Sequence, residues 1–226
     1  MDSTAMRSKR IRLYTLTGFG KNPGNLDARM YMPRTPPTAL VVVLHGCTQS
    51  ASVYDQGTGW STLAERHGFA LLYPQQRRAN NPNLCFNWYQ PGDARRGLGE
   101  AASISQMVQH IAGKYRLDRS QVFITGLSAG GAMTSVMLAC YPEQFAGGAI
   151  IAGLPFASAN TLPQALERMR GQGFPSRRQL ADRARAAAGR DGDRPILSVW
   201  HGTRDNIVDP TNATAIVKQW HDLHGL

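Results

Sequence analysis

Apolar and polar positions along this chain follow two alternating patterns, one typical of buried strands and one typical of amphipathic helices. The run Ala39–Leu44 is apolar at every position and rich in β-branched residues, as expected for a strand that is covered on both faces. The segment Glu100–Lys114 instead spaces its apolar residues three and four positions apart, which predicts a helix with one buried face. The other predicted strands are Ile11–Thr17, Ala28–Met32, Phe69–Tyr73, Val122–Thr125, Gly148–Ala152 and a buried strand at Ile196–Trp200. The other predicted helices are Trp60–His67, Gly131–Cys140 and Thr211–Leu223.

The alternation of these elements predicts the α/β class, with a mostly parallel central sheet that is flanked by helices and joined by right-handed crossovers. In such a sheet, active-site residues collect at the carboxyl ends of the strands. A single domain is expected for residues 1–226. The loop Gln75–Gly99 interrupts the alternation and is long enough to suggest a functional role. Two short helical stretches within Leu154–Arg194 are expected to overhang the sheet edge as a cap-like insertion.

The pentapeptide Gly126-Leu-Ser-Ala-Gly130 directly follows a predicted strand and precedes an apolar helix. A G-x-S-x-G sequence in this setting is typical of a nucleophile elbow, which presents the serine at the end of a strand. The glycines remove the Cβ atoms with which a sharp turn and a closely docked helix would clash. The sequence therefore predicts that Ser128 is a catalytic nucleophile rather than an unreactive serine in a glycine-rich turn.

The predicted strand Ala39–Leu44 ends in the turn His45-Gly-Cys-Thr-Gln49. A serine hydrolase needs two N–H groups directed at the oxyanion that develops during acyl transfer. One is the N–H of the residue after the nucleophile, here Ala129, and the other comes from the loop after this earlier strand. We expect Cys47 to supply it, and we expect His45 to be a hydrogen-bonded histidine of a tight turn.

The predicted strand Ile196–Trp200 ends in His201-Gly-Thr-Arg-Asp205. An acidic residue just past this strand fits the chain order Ser, Asp, His of α/β-hydrolases. Asp205 would accept a hydrogen bond from the catalytic histidine and stabilise the imidazolium. Asp209 is the alternative, although its position before Pro210 is typical of a helix N-cap.

A formal net charge of +10 would fit a nucleic-acid-binding protein, but the distribution of charge does not favour that class. Only four of the 25 basic residues are lysines, and no basic run alternates with aromatic residues. We predict a solvated basic surface and no nucleic-acid partner. No apolar run approaches the roughly 20 residues that cross a bilayer, so no membrane partner is predicted. Residues 1–12 lack the apolar core of a signal peptide.

The three cysteines lie in different settings. Cys140 falls within an apolar helix and is expected to be a small core residue. A disulfide between Cys47 and Cys85 is compatible with the sequence, which by itself does not establish it. No cofactor and no metal are predicted.

Eight short motifs occur in a fixed order along the chain. They are His45-Gly-Cys-Thr-Gln49, Gly57-Thr-Gly-Trp60, Tyr73-Pro74, Asn87-Trp88, Arg96-Gly-Leu-Gly-Glu100, Gly126-Leu-Ser-Ala-Gly-Gly131, Gly153-Leu-Pro155 and His201-Gly-Thr-Arg-Asp205. Together they resemble the polyhydroxybutyrate depolymerase family of esterases, relatives of feruloyl and acetylxylan esterases in the α/β-hydrolase superfamily. The resemblance covers roughly residues 11–226. It implies that Ser128 is the nucleophile, Asp205 the triad acid, and Cys47 and Ala129 the oxyanion donors.

The resemblance also implies a substrate and a location. We expect a serine carboxylic ester hydrolase that acts through an acyl-enzyme on polymeric or oligomeric hydroxyalkanoate esters; the alternative is an ester attached to plant polysaccharide. Trp88 is either a wall of the substrate cleft or a core-packing tryptophan. In secreted relatives the cysteines that match Cys47 and Cys85 are bridged, which favours the disulfide here. The protein would be extracellular if its start is not native, and cytoplasmic otherwise.

The histidine of the triad is where this sequence departs from the family. The family has a further strand and a histidine-bearing loop after the helix that matches Thr211–Leu223, and the sequence contains neither. His221 and His224 are the remaining histidines after Asp205. A helix that follows a parallel strand would carry His221 about 15 Å from the active edge, whereas a base must lie within about 3 Å of the serine hydroxyl.

We therefore expect a chain that is incomplete at its C-terminus. Such a chain would hydrolyse esters slowly or not at all, or would be a pseudo-hydrolase that binds ligands in the retained cleft. The predicted strand Ile196–Trp200 would then be an exposed sheet edge through which the protein could self-associate.

Overall fold

The computed structural model describes residues 12–189, 192 and 194–226. Within these ranges the β-strands are β1 (Tyr14–Thr15), β2 (Asp27–Tyr31), β3 (Leu40–Leu44), β4 (Ala70–Gln75), β5 (Val122–Leu127), β6 (Gly147–Ile151) and β7 (Ile196–Trp200). The α-helices are α1 (Ala51–Thr58), α2 (Trp60–His67), α3 (Gly99–Tyr115), α4 (Ala129–Cys140), α5 (Leu162–Met169), α6 (Arg177–Ala187) and α7 (Thr211–His224). The first residue of the predicted strand Ile11–Thr17 lies outside the described residues, as do residues 1–11 of the segment on which the signal-peptide prediction rests.

Five neighbouring strands of the sheet run parallel, in the order β4-β3-β5-β6-β7. β2 pairs antiparallel with β4, and β1 pairs antiparallel with β2 at the outer edge. The register places Leu44 beside Gly126, and Gly126 beside Ile150, so β3, β5 and β6 end nearly level with one another. The predicted α/β class, with its mostly parallel sheet, is confirmed.

Alternate residues of the parallel strands face two separate hydrophobic cores. Val42 and Ile124 belong to the larger core, which α3 and α4 cover. Val43 and Leu71 face a smaller core on the opposite side of the sheet, which α1 and α2 close. Since strands between two helical layers bury both faces, this packing explains why the run Ala39–Leu44 is apolar throughout.

Helix α4 packs against β5 and β6, and all 12 of its residues are buried. It begins with Ala129, Gly130 and Gly131, whose small side chains allow the helix to approach the sheet closely. The predicted helix Gly131–Cys140 therefore starts two residues earlier than expected, immediately after Ser128.

Helix α1 is absent from the sequence-based prediction. Its start is capped by Ser50, whose hydroxyl accepts a hydrogen bond from the Val53 N–H (3.3 Å). Its end is marked by Gly59, which adopts the left-handed conformation with φ 72°. Both capping signals are visible in the sequence, but the helix has only eight residues and a weak apolar face.

β7 differs from the predicted buried strand at Ile196–Trp200. Ile196 and Trp200 are 77% and 63% exposed, respectively. In the described part of the chain, β7 pairs only with β6, and α7 packs against β7. The opposite face of the sheet is packed by α1 and α2, but these helices contact β4, which β3, β5 and β6 separate from β7. The prediction that this strand is buried is therefore wrong for one of its two faces.

The segment 154–194 contributes α5 and α6. Helix α6 packs against α4 and α7, within the helical layer, and α5 is joined to the start of α7 by a hydrogen bond from the Asp209 N–H to the Met169 carbonyl (2.7 Å). The cap-like role of this insertion stays a prediction. Among the described residues, no helix is both long and apolar enough to cross a membrane.

Candidate active site

Ser128 occupies a strained bend between β5 and α4. Its backbone angles are φ 56° and ψ −118°, a conformation that costs a non-glycine residue about 1–3 kcal/mol. Two backbone hydrogen bonds hold the bend: the Ser128 N–H donates to the Ile151 carbonyl (2.9 Å), and the Ser128 carbonyl accepts from the Ala132 N–H (2.9 Å). The residue is half-buried, and its hydroxyl makes no hydrogen bond to any residue that the structure describes.

Gly126 and Gly130 meet the steric demand of this bend. A Cβ atom at Gly126 would overlap the Gly130 carbonyl, and a Cβ atom at Gly130 would overlap the Leu44 carbonyl. The obstructing atoms belong to the backbone, so they cannot rotate away as a side chain would. The steric reason for glycine on both sides of Ser128, expected from the motif, is confirmed.

Two backbone N–H groups near Ser128 have no acceptor among the described residues. One belongs to Ala129, the first residue of α4, where N–H groups lack intrahelical partners and carry the positive end of the helix dipole. The other belongs to Cys47, in the turn after β3. The two turns are in contact, because Gly130 packs against the carbonyl groups at the end of β3. N–H groups without acceptors in two adjoining turns are suited to bind an oxyanion if they point to the same position.

The turn that contains Cys47 is fastened to the long loop after β4. Cys47 forms a disulfide with Cys85, which confirms the pairing that the resemblance implies. The Thr48 N–H also donates to the Asn83 carbonyl (2.7 Å). Cys140, in contrast, is a free cysteine that is 0% exposed, and burial raises the pKa of its thiol to about 12, as expected for a core residue.

His45 is buried, and both of its ring nitrogens have partners. Nδ1 lies 2.8 Å from the Gly46 carbonyl, and Nε2 accepts a hydrogen bond from the Gln76 N–H (3.1 Å). The N–H on Nδ1 therefore donates to Gly46, and desolvation lowers the pKa of the imidazole below its usual value. His45 is the turn histidine that the sequence predicts.

Glu100 is a buried acidic residue to which the sequence pattern assigned no role. Its Oε1 accepts from the side-chain amide of Gln76, and its Oε2 accepts from the Asn87 N–H (2.8 Å). Two effects raise the pKa of Glu100 to about 8: burial, which is the larger, and the nearby carboxylate of Asp93. Glu100 joins the loop after β4 to the start of α3, and through Gln76 it is linked to His45. The one sequence signal for it is a charged residue on the buried side of an amphipathic helix.

Asp205 lies in the turn after β7, at the same edge of the sheet as Ser128. Its Oδ1 accepts hydrogen bonds from the N–H groups of Ile207 (2.9 Å) and Val208 (3.0 Å), and its Oδ2 lies 3.5 Å from Nε2 of His201. His201 is itself held in this turn, because its Nε2 lies 2.8 Å from the Val208 carbonyl.

Asp209 lies one residue before Pro210, which is the N-cap of α7, and its side chain still binds the first turn of that helix. Its Oδ1 accepts from the N–H (2.9 Å) and from the hydroxyl (2.7 Å) of Thr211, the first residue of α7. These two hydrogen bonds lower the pKa of the carboxylate, and the bond from the Thr211 N–H has the larger effect. Asp209 is therefore committed to the start of the helix, and Asp205 remains as the candidate triad acid.

All six histidines of the chain lie in the described ranges, and none of them makes a hydrogen bond to Ser128. His45 and His201 are held in their turns. His221 and His224 are exposed on the last turns of α7, where His224 packs on the Trp220 ring at 5.9 Å. Among the described residues, this edge of the sheet thus carries a serine, N–H groups without acceptors and, in the turn after β7, a carboxylate; no described imidazole hydrogen-bonds to the serine hydroxyl.

Trp88 is both a core residue and part of a cavity wall. It is only 7% exposed and belongs to the larger core. It also lines a cavity of about 500 Å³, whose lining does not include Ser128, Cys47 or Asp205. Its role at a substrate cleft stays a prediction.

The family described as "Esterase PHB depolymerase" matches residues 27–226. The poly(3-hydroxyalkanoate) depolymerase C of Paucimonas lemoignei is 44% identical over 220 residues, which are 95% of this chain and 53% of that protein. A probable acetylxylan esterase A of Aspergillus clavatus is 32% identical, covering 99% of this chain and 74% of that protein. Feruloyl esterase B of Talaromyces stipitatus is 34% identical, over 95% of this chain and 62% of that protein. The chain thus spans about half the length of the first of these relatives and less than two thirds of the third.

Among solved structures, an acetyl xylan esterase from Aspergillus awamori superimposes with a TM-score of 0.86 at 29% identity, over 95% of this chain and 80% of that one. A poly(3-hydroxybutyrate) depolymerase from Bordetella parapertussis shares the fold with a TM-score of 0.54 at 19% identity, over 95% and 91%.

Proposed function

The chain belongs to the Esterase PHB depolymerase family, and from that membership we propose that it is a serine carboxylic ester hydrolase in which Ser128 is the nucleophile. The observation that carries the proposal is the strained bend at Ser128, beside two N–H groups that lack acceptors among the described residues. Strain is retained in proteins where the surrounding structure enforces it, which is common at active sites.

The proposed reaction has two steps. The Ser128 oxygen attacks the ester carbonyl carbon, and its proton passes to a base while the carbonyl oxygen becomes an oxyanion held by the N–H groups of Cys47 and Ala129. Collapse of this intermediate breaks the carbon–oxygen bond, and the leaving alcohol takes up the proton. Water then attacks the acyl-enzyme in the same way, which releases the carboxylic acid and restores the hydroxyl.

In this scheme Asp205 orients the base. Its carboxylate would accept the Nδ1–H of an imidazole and stabilise the imidazolium that forms when the serine proton is transferred. None of the six histidines hydrogen-bonds to the Ser128 hydroxyl in the structure, so we propose that these 226 residues leave a gap between the acid and the nucleophile that no histidine fills.

For the substrate, we propose esters of poly- or oligo-hydroxyalkanoates. The relative at 44% identity is named as a poly(3-hydroxyalkanoate) depolymerase. Relatives at 32–34% identity are named as acetylxylan and feruloyl esterases, which favour polysaccharide-linked esters as the second candidate. Both candidates use the same acyl-transfer chemistry and differ in the groups on either side of the ester.

Imidazole rescue tests the proposed chemistry directly. Hydrolysis of p-nitrophenyl butyrate by the chain should be slow in plain buffer, and added imidazole should accelerate it in a saturable way, because a bound imidazole can take the Ser128 proton. Ser128→Ala should abolish the saturable component, and Asp205→Asn should weaken it.

An equal, linear effect of imidazole on the parent chain and on Ser128→Ala would contradict the proposed nucleophile. Fast turnover without imidazole that disappears in Ser128→Ala would keep the nucleophile but contradict the proposed gap. A comparison of hydroxybutyrate oligomers with acetylated and feruloylated xylan fragments, each with imidazole, then separates the two substrate classes.

A further inference from the structure

A cavity of about 500 Å³ lies between the loop after β4, the C-terminal end of α4, and α6. We call it the Trp88 cavity; its walls include Trp88, Cys140 and Phe156. Cys140 is twelve residues after Ser128, which corresponds to about 18 Å along the axis of α4 at 1.5 Å per residue. This end of the cavity is therefore far from the nucleophile, and its volume falls in the range typical of small-molecule sites, about 300–1,000 Å³.

Aromatic and small apolar side chains form the body of the Trp88 cavity. Trp88 and Tyr89 meet edge to face with ring centroids 5.5 Å apart, and Phe156 and alanines of α6 also line the cavity. Trp88 and Phe156 are only 7% and 6% exposed, so they are held rigidly by the core. A flat or extended apolar group would gain contact here without reorganisation of the walls.

The described residues that line the same cavity include three arginines and no acidic residue; the arginines are Arg95, Arg96 and Arg183. Arg96 is already committed, because it forms an ion pair with Glu143 (2.7 Å) and donates to the Cys140 carbonyl (2.6 Å). Arg183 donates through Nη1 to the Ala157 carbonyl (2.7 Å), which orients its guanidinium, and it forms no ion pair with a described carboxylate. Arg95 is exposed, and its side chain has no hydrogen bond or ion pair to any described residue.

We propose that the Trp88 cavity binds a monocarboxylate with an apolar body, with the carboxylate at Arg95 and Arg183 and the body against Trp88 and Phe156. Guanidinium groups pair with carboxylates through charge-assisted, often bidentate hydrogen bonds. A small anion such as phosphate would satisfy the charge but leave the aromatic walls unused. The identity of the ligand rests on the proposed function. Ester hydrolysis releases a carboxylic acid, and each oligomer of hydroxyalkanoate that it produces ends in a carboxylic acid.

Two sources supply this chemistry: an aromatic acid of the cinnamate type, and the acid of a hydroxybutyrate trimer. Binding of each is measured by calorimetry on Ser128→Ala, which removes the proposed chemistry and leaves the cavity intact. We expect saturable binding of at least one acid; the acid that binds more tightly identifies the source. Cinnamamide, which has the same body without the charge, should bind about tenfold more weakly than cinnamate.

The charge is tested with the double variant Arg95→Gln/Arg183→Gln, which should weaken carboxylate binding by about tenfold or more. The matched control is Arg178→Gln, which removes an exposed arginine of the same helix, α6, outside the cavity lining, and should bind like the parent. In Trp88→Phe, the change in tryptophan fluorescence on binding should be lost while the calorimetric signal remains.

The proposal is overturned if neither acid binds saturably, if the double variant and Arg178→Gln bind alike, or if phosphate at equal ionic strength displaces the acid as effectively as cinnamate does. Because binding is measured without the Ser128 hydroxyl, its failure would leave the esterase proposal untouched. Failure of the imidazole rescue would equally leave the measured binding standing.

Discussion

At the scale of single residues, the sequence predicted best where the backbone geometry permits only one residue type. Glycines at 126 and 130 followed from the G-x-S-x-G pattern, since a side chain at either position would overlap backbone atoms. The partner of His45 Nε2 and that of Glu100 Oε1 did not follow, because both are groups of Gln76, which lies just after the end of β4. Side-chain networks of this kind join residues distant in sequence and leave no periodic signal.

Gly130→Ala should prevent the elbow from closing. The added Cβ overlaps the carbonyl groups at the end of β3, so we expect the free energy of unfolding to fall by about 3 kcal/mol or more, measured by urea denaturation. Gly113→Ala is the control: a Cβ there meets nothing within 4 Å, and alanine in α3 should stabilise the protein by about 0.5–1 kcal/mol. Equal effects of the two substitutions would contradict the described packing.

Glu100 should make stability depend on pH. Its pKa is raised in the folded state to about 8, above the ordinary value of 4.5, so the folded protein holds a proton that the unfolded chain loses. The stabilising contribution of the neutral acid is complete below pH 4.5 and disappears as the pH rises to about 8. Each unit by which the pKa is displaced corresponds to about 1.4 kcal/mol, so the free energy of unfolding should fall by a few kcal/mol over this range.

Chemical denaturation between pH 5 and pH 9 measures this dependence. In Glu100→Gln, which cannot ionise, the decline in unfolding free energy over this range should largely vanish. A decline of the same size in the variant would assign the dependence to other groups.

At the scale of elements, the sequence predicted those with a strong period or a continuous apolar run. The predicted helix Trp60–His67 matches α2 residue for residue, and the predicted helix Thr211–Leu223 matches α7 to within one residue. Helix α1 was not predicted, because eight residues with a weak apolar face give little periodicity. Strand β7 was placed correctly but assigned the wrong environment, because its composition cannot indicate whether a helix covers each face.

The disulfide between Cys47 and Cys85 should stabilise the turn that supplies one oxyanion donor. The two cysteines are 38 residues apart, and closing a loop of that length in the unfolded chain corresponds to about 4 kcal/mol in the chain-entropy description. Cys47→Ser/Cys85→Ser keeps the Cys47 backbone N–H, so we expect a lower Tm and a lower imidazole-rescued rate. Dithiothreitol should reproduce both effects in the parent protein and change nothing further in the double variant. Insensitivity of both the parent Tm and the rescued rate to reductant would contradict this role.

At the scale of the whole molecule, the alternating pattern gave the α/β class and the carboxyl edge at which the candidate residues gather. It could not indicate how completely the helices cover the sheet. The face of β5, β6 and β7 that lies beyond α2 is apolar and exposes Phe123, Ile196 and Trp200. Contiguous apolar surface beside an unpaired strand edge favours association.

We expect two copies of the chain to associate through β7 and this apolar face. Sedimentation velocity should show a concentration-dependent increase in mass, because pairing of the β7 edges satisfies free backbone groups and covers the apolar side chains. Ile196→Lys/Trp200→Asp should shift the equilibrium toward monomer. As a control, Leu162→Lys changes an exposed apolar residue on α5 and should leave it unchanged. A strictly monomeric parent at high concentration would contradict the expectation.

Active-site labelling tests the central claim, that the hydroxyl of Ser128 is the reactive group of this molecule. The chain is incubated with a fluorophosphonate in the presence of imidazole, and the adduct is located by tandem mass spectrometry of its peptides. We expect one phosphonyl group on Ser128, whose phosphoryl oxygen is held by the N–H groups of Cys47 and Ala129, and no labelling of Ser128→Ala. A folded chain whose Ser128 stays unmodified, or whose label falls on another residue and persists in Ser128→Ala, would contradict it.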